Sequence, residues 1–169
     1  MNNFLLTRGL LILFIITIIK HSEIMAQNEY TIKVELNASK EKVWNVITDF
    51  PSYDQWNTVL VMRNNNDLEI GKKFKVTIID EKGKHSKFNA RTLTQNPYNS
   101  FSARQIMLEK WFFSATHHFI IEQKSDSETT FIQTWNFSGI LFKLFRKTFF
   151  KQLNRFNQMN SDLKTYIEK

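Results

Sequence analysis

His117 and Gln133 are the residues of this sequence whose side chains could do chemistry in an apolar environment. Each lies in a run whose alternate positions are apolar, so it would share one face of a strand with hydrophobic residues. A histidine can hydrogen-bond a ligand or move a proton near neutral pH, and a glutamine amide can orient a carbonyl or hydroxyl group. Either side chain could instead satisfy a buried polar group of the fold, so both interpretations stay open.

Other kinds of chemistry are disfavoured by what the sequence lacks. The chain has no cysteine, which rules out disulfides, thiolate nucleophiles and thiolate metal ligands. The neighbours His117 and His118 would point to opposite faces of a strand, and neither a His-x-His nor an HExxH spacing occurs. No glycine-rich phosphate loop and no Gly-x-Ser-x-Gly elbow is present. We therefore predict no metal and no cofactor.

Composition indicates one domain with ample apolar material. The 169 residues include 42% hydrophobic and 14% aromatic side chains, with sixteen phenylalanines. That number of phenylalanines would suit the lining of a cavity, although simple core packing is the alternative. The formal charge of +7 is spread along the chain without an arginine-rich arm or a nucleic-acid motif, so we expect no nucleic-acid partner.

The elements that must position these residues begin with a strand, a helix and a bend. Residues 30–36 alternate as a strand, and Ser39 is a suitable N-cap for a helix whose apolar face repeats every three or four residues. Pro51 ends this helix near Phe50 and can open a second short helix. Tyr53 and Trp56 would lie on one side of that second turn.

An antiparallel meander and a long helix should follow. Alternating runs predict strands near residues 59–63, 74–78, 88–92, 101–103, 111–123 and 129–138, separated by turns rich in Asn, Asp and Gly. After Gly139 a helical stripe runs nearly to the C-terminus. The stripe comprises Phe142, Phe145, Phe149, Leu153, Phe156, Met159 or Asn160, Leu163 and Ile167.

The chain resembles the START-like (SRPBCC) superfamily in two places. One is the sequence pattern V-W-x-V-I-T-D-F-P-x-Y-x-x-W-N at residues 43–57, and the other is the long amphipathic helix after residues 136–142. That superfamily includes polyketide cyclases and the plant Bet v 1-type ligand carriers. The resemblance implies an α+β helix-grip fold over residues 27–169. A curved antiparallel sheet of about six or seven strands would wrap a long C-terminal helix, and two short helices would follow the first strand.

The same resemblance implies a cavity between the sheet and the long helix. We expect His117 and Gln133 to provide its polar positions, with Trp56 near the mouth. The expected wall residues are Phe74, Phe88, Phe101, Phe113, Phe119, Trp135, Phe156 and Met159. The alternative is that these side chains meet and fill the space.

Three functions fit this picture. The first is binding or transport of a small hydrophobic molecule, such as a lipid or polyketide, without catalysis. The second is a polyketide cyclase or aromatase that uses the same cavity, with His117 moving protons. The third is a membrane-surface adaptor that uses the basic start of the last helix, which contains Lys143, Arg146, Lys147, Lys151 and Arg155. Oligomeric state is left open.

Residues 1–26 have the features of a targeting segment. Arg8 precedes the apolar run Leu10 to Ile19, and Ala26 offers a small residue for cleavage. The apolar run is shorter than the roughly 20 residues of a membrane span. We therefore expect export to the periplasm or the exterior after cleavage near Ala26, with membrane anchoring by residues 10–19 as the alternative.

Overall fold

The computed structural model describes residues 28–63 and 68–169. The predicted targeting segment, residues 1–26, and the turn predicted at residues 64–67 lie outside the described residues. Among the described helices, none is long and apolar enough to cross a membrane.

The described residues contain seven strands, which form one antiparallel sheet. They are β1 (Glu29–Leu36), β2 (Leu60–Arg63), β3 (Lys73–Ile79), β4 (His85–Asn96), β5 (Ser100–Met107), β6 (Phe113–Ser125) and β7 (Glu128–Ser138). The sheet order is β1-β7-β6-β5-β4-β3-β2, so that only β1 pairs out of sequence. A register shift between Thr92 and Thr94 marks a β-bulge, which bends a strand and increases its twist.

The two elements after β1 form as their residues predict. Helix α1 (Lys40–Thr48) starts at Ser39, whose hydroxyl accepts a hydrogen bond from the Lys42 backbone N–H at 3.3 Å. A 3₁₀ helix (Phe50–Gln55) follows, with Pro51 in its first turn. Tyr53 is fully buried and donates its hydroxyl to the Ile47 carbonyl at 2.5 Å, which fixes the bend against α1.

The C-terminal helix runs across the sheet in two segments, α2 (Ile140–Leu153) and α3 (Phe156–Ile167). Asn154 and Arg155 between them keep right-handed helical dihedral angles, so the two segments continue as one long helix. The predicted stripe is buried or half-buried with one exception. Phe145 is 52% exposed because its own dihedral angles (φ −116°, ψ 20°) leave the helical region and kink α2 there. Its predicted place in the stripe was therefore wrong.

These elements make the predicted α+β helix-grip fold, and that prediction is confirmed. The core lies between the concave face of the sheet and the long helix, with α1 and the 3₁₀ helix closing one end.

Candidate ligand-binding cavity

A cavity of about 610 Å³ lies between the sheet and the C-terminal helix. Strands β2 to β7 supply its walls, and residues 148–156 of the long helix cover it. Most of the lining is apolar, in the volume range of sites that take small organic ligands. The apolar lining residues are Leu60, Met62, Phe74, Val76, Ile78, Phe88, Ala90, Ala103, Phe113, Ala115, Phe119, Trp135, Phe137, Phe149, Leu153 and Phe156.

Seven of the eleven predicted site residues line this cavity: Phe74, Phe88, Phe113, His117, Phe119, Trp135 and Phe156. They come together because β3, β4, β6 and β7 each direct alternate side chains to the concave face, where Phe156 of α3 meets them. The aromatic side chains of these strands thus line the cavity without filling it.

The other four residues lie outside the lining. Phe101 is 1% exposed and stacks on Phe119 at a centroid distance of 4.3 Å. It lies on the same face of the sheet as Phe119, but packs against Trp44 and Phe50 beside the cavity. Met159 is fully buried in the core. Trp56, expected near the mouth, is instead buried, with its ring 4.8 Å from that of Tyr53 and 6.3 Å from that of Tyr166. The bend that Pro51 creates turns this aromatic pair inward.

Gln133, the fourth, is the centre of a buried chain of polar side chains. Its amide Nε2 donates to Asn160 Oδ1 at 2.7 Å, and its Oε1 lies 3.0 Å from His117 Nε2. Since Oε1 can only accept, His117 must donate from Nε2, and its Nδ1 is left as an acceptor. The chain therefore links the cavity wall at His117 to the long helix at Asn160.

The His117 ring is held between two aromatic rings. Its centroid lies 3.9 Å from that of Phe119 and 4.0 Å from that of Trp135, its partner across the β6–β7 pair. Burial lowers the pKa of His117 well below its usual value, while the Gln133 hydrogen bond opposes the shift and the nearby His118 adds to it. The ring is accordingly neutral at pH 7, and it meets the cavity as a hydrogen-bonding group without charge.

The mouth of the cavity is polar and mostly basic. It lies between the β3–β4 hairpin and the second half of the long helix's first segment, where exposed residues join the lining. Lys82, Lys84, Lys151 and the half-buried Arg155 bring four positive charges, against Asp80 and Glu81. Asp80 accepts hydrogen bonds from the backbone N–H groups of Lys82 and Lys84, at 2.8 and 2.9 Å, and so closes the hairpin turn.

Arg155 has an unsatisfied donor at this mouth. Its Nε is buried and has no hydrogen-bond partner among residues 28–63 and 68–169. No ion pair in the same residues neutralises the mouth lysines or Arg155. The mouth therefore offers donors and positive charge beside an apolar interior.

Sequence reasoning did not identify the mouth or the aliphatic part of the wall. Val76 and Ile78 share the alternating face of Phe74, so the same pattern could have added them. Lys151 and Arg155 had been interpreted as part of a basic helix surface, and nothing in the sequence indicates that a hairpin 70 residues earlier lies opposite them. In the described residues, no group of three or more His, Asp or Glu side chains is arranged to hold a metal.

The sheet and the long helix form a helix-grip fold of the START-like kind, as predicted. No protein-family profile and no curated protein sequence matches the chain. Several solved structures, however, match the fold of this chain. A START superfamily protein from Mycobacterium smegmatis matches with a TM-score of 0.60 and 17% identity, over 83% of this chain and 97% of the other.

Two structures of named proteins are also similar. Norcoclaurine synthase from Thalictrum flavum matches with a TM-score of 0.62 and 8% identity, over 83% of this chain and 86% of that one. The di-domain ARO/CYC BexL, from the BE-7585A biosynthetic pathway, matches with a TM-score of 0.62 and 10% identity, over 83% of this chain and 50% of its own. At these identities the likeness shows a shared fold and leaves the activity open.

Proposed function

We propose that the protein binds a single amphipathic molecule, with its apolar body in the cavity and a negatively charged end at the basic mouth, without chemical turnover. The observation that carries the proposal is a cavity of about 610 Å³ with apolar walls and an entrance where four basic side chains outnumber two carboxylates. At roughly 30 Å³ per water-sized group, this volume accommodates on the order of 20 non-hydrogen atoms. A single long-chain fatty acid or a molecule of similar size would fit.

The walls supply the affinity. Each 100 Å² of ligand surface removed from water contributes about 2.5 kcal/mol before the cost of association is subtracted. His117 adds a neutral acceptor at Nδ1 that can receive a hydrogen bond from a ligand hydroxyl. The charged end would satisfy the buried donor Arg155 Nε, which has no hydrogen-bond partner in the described part of the chain.

Native mass spectrometry of the protein isolated gently from its own source tests whether a ligand is present. We expect an extra mass that disappears on denaturation. The charge preference is then measured with three 16-carbon probes, hexadecanoate, hexadecanol and hexadecylamine, by displacement of a fluorescent apolar dye. Hexadecanoate should bind at least tenfold more tightly than the alcohol, and the amine should bind most weakly.

Two variants locate the site. Ala115 is half-buried on the cavity wall, so Ala115→Trp extends a ring into the cavity and should abolish binding of all three probes. The matched control, Asn89→Trp, places the same ring on an exposed position of β4 and should bind normally. Arg155→Gln should reduce hexadecanoate binding about tenfold and leave hexadecanol unchanged, whereas Lys143→Gln on the exposed surface of the same helix should change neither. Unimpaired binding by Ala115→Trp would refute the cavity as the site.

The cyclase or aromatase alternative depends on His117 as a proton carrier. General acid–base catalysis works best when the pKa lies near the operating pH, and burial moves the pKa of His117 well below it. Its Nε2 is also engaged with Gln133. We therefore favour binding, and expect His117→Gln to retain affinity for hexadecanoate; a turnover that the wild type performs and this variant loses would reverse that preference.

A further inference from the structure

Exposed hydrophobic side chains are concentrated at one place on this protein. Nine large hydrophobic side chains are exposed in the described residues, and seven of them come from residues 106–111 and 140–145. Single exposed apolar residues are normal on a protein surface, but a group of this kind marks an interaction site. We name this group the apolar patch: Ile106, Met107, Leu108, Trp111, Ile140, Leu144 and Phe145.

The two segments of the apolar patch are joined by backbone hydrogen bonds. The N–H of Ile140 donates to the Trp111 carbonyl, and the N–H of Leu141 donates to the Phe112 carbonyl, both at 3.0 Å. Gly139 makes this approach feasible, because a Cβ at that position would lie 2.4 Å from the Phe112 carbonyl oxygen. The patch is therefore a fixed surface of two adjoining segments.

Two side chains of the patch are strongly exposed by the local backbone. Leu108 adopts a left-handed conformation (φ 58°) in the β5–β6 turn, which is uncommon for a leucine, and is 79% exposed. The kink at Phe145 leaves that ring 52% exposed, beside Leu144 at 72%. Neither conformation helps to bury apolar surface within the chain itself.

Basic residues are neighbours of the apolar patch in the sequence. Lys110, Lys143, Lys147 and Arg146 lie within or directly beside its two segments, and Glu109 is their acidic neighbour. Apolar side chains with lysine and arginine beside them match the chemistry of an anionic lipid surface. A symmetric contact with a second copy would instead bring the like charges of both patches together.

The position of the patch also suits a membrane. Alternate strands of an antiparallel sheet run in the same direction, so β3, β5 and β7 all finish at the same end of the sheet. The β3–β4 hairpin at the cavity mouth therefore lies at the same end of the sheet as the patch. Asn28 lies there too, since its carbonyl accepts the Phe137 N–H at 2.9 Å. The first described residue therefore lies at this end of the sheet.

We propose that the apolar patch docks reversibly on an anionic lipid bilayer, with Leu108, Trp111, Leu144 and Phe145 inserted at the interface and the adjacent cations against the lipid headgroups. Docking brings the mouth of the cavity towards the bilayer. The proposal concerns a surface outside the cavity, and it can hold whether or not the proposed ligand class is correct.

Trp111 provides a direct probe of this docking. It is 66% exposed, whereas Trp44, Trp56 and Trp135 are at most 7% exposed. The full chain is mixed with phosphatidylcholine vesicles that contain about a third phosphatidylserine and carry bromine, a fluorescence quencher, on their acyl chains. We expect quenching of tryptophan emission with these vesicles and little with pure phosphatidylcholine, and Trp111→Phe should remove the quenching while the protein still co-sediments.

Variants measure how much the patch contributes. Leu108→Ser/Leu144→Ser should lower the fraction co-sedimenting at least tenfold, because two inserted side chains are lost. Lys143→Glu/Lys147→Glu should do the same at about 0.1 M salt, and wild-type binding should weaken at about 1 M salt, where electrostatic screening shortens to about 3 Å. The controls Ile70→Ser and Lys87→Glu alter exposed residues elsewhere and should bind like the wild type.

Three results would overturn the proposal. Vesicle binding by the Ser and Glu variants equal to wild type, with Trp111 unquenched, would assign binding to residues 1–27. Protection of Trp111 from aqueous iodide in the absence of vesicles would mean that another part of the chain covers the patch. A dimer in sedimentation that Leu108→Ser/Leu144→Ser dissociates would make the patch a contact between copies.

Discussion

Gln133 offers the sharpest test of how the cavity wall is held. Its amide is fully buried and joins His117 Nε2 at 3.0 Å to Asn160 Oδ1 at 2.7 Å. Gln133→Leu keeps the approximate size and removes both hydrogen bonds. The His117 donor and the Asn160 acceptor then lack partners, and each unpaired buried group costs about 1–3 kcal/mol.

The expected loss in free energy of unfolding is about 2–4 kcal/mol, in the lower part of the summed range because His117 faces a cavity that can admit water. Equilibrium urea unfolding at pH 7 measures it. Thr134→Val, one position along β7, removes an exposed hydroxyl contact to Thr31 and should cost less than about 1 kcal/mol. A Gln133→Leu cost similar to that of this control would refute the reasoning.

The triple variant His117→Phe/Gln133→Leu/Asn160→Leu separates unpaired groups from lost packing. Replacing all partners by apolar groups is close to neutral, so the triple variant should recover at least half of the stability that Gln133→Leu loses. It should still bind hexadecanoate but lose any preference for a ligand that carries a hydroxyl within its chain. If the triple variant is no more stable than Gln133→Leu, the hydrogen-bonded chain is not what stabilises this region.

Three further predictions concern single residues. Burial holds the folded-state pKa of His117 below its unfolded value near 6.5, so the unfolded chain binds the proton first and stability should fall by up to about 1.4 kcal/mol per pH unit below about pH 6.5. Urea titrations from pH 7 to pH 5 should show a smaller slope in His117→Gln, with a remainder from His118, whose pKa burial also lowers; an unchanged slope would contradict it. Gly139→Ala should cost more than about 3 kcal/mol in thermal or urea unfolding, since it combines a positive φ with a clash, whereas Gly83→Ala, with positive φ and open space, should cost about 1 kcal/mol. Equal costs would show that the close approach to Phe112 is unimportant. Tyr53→Phe should lower the free energy of unfolding by about 1–2 kcal/mol in the same assay, because it leaves the buried Ile47 carbonyl unpaired. An unchanged free energy would show that this hydrogen bond does not stabilise the bend.

Much of the fold could be predicted because its elements carry local signals. Ser39 and Pro51 mark where α1 begins and where it must end, and both act at short range. The alternation in β6 and β7 likewise predicts which side chains share a face. The buried side of β7 agrees with it, and four alternate residues of β6, from Phe113 to Phe119, line the cavity together. Such signals depend on the covalent chain and its nearest neighbours, so they can be recognised without the tertiary structure.

Phe145 and Trp56 show where local signals fail. The spacing of Phe145 fits the helical stripe, but its backbone leaves the helical region and its side chain becomes exposed. Trp56 was placed near the mouth by resemblance, yet the bend packs it against Tyr53 and Tyr166. For Trp56 the outcome depends on contact with Tyr166, which lies more than 100 residues away in the sequence.

The sequence by itself determined the succession of strands and helices along the chain and the presence of polar residues on their apolar faces, because periodicity and capping act within a few residues. The order of the strands within the sheet came from the family resemblance and not from periodicity. Only the tertiary structure decided that the aromatic faces stop short of contact and leave a cavity, that Gln133 bridges His117 to Asn160, and that Arg155 meets the β3–β4 hairpin at its mouth. These arrangements depend on the curvature of the sheet and on the distance at which the long helix crosses it. Both are set jointly by many side chains, so no single stretch of sequence specifies them.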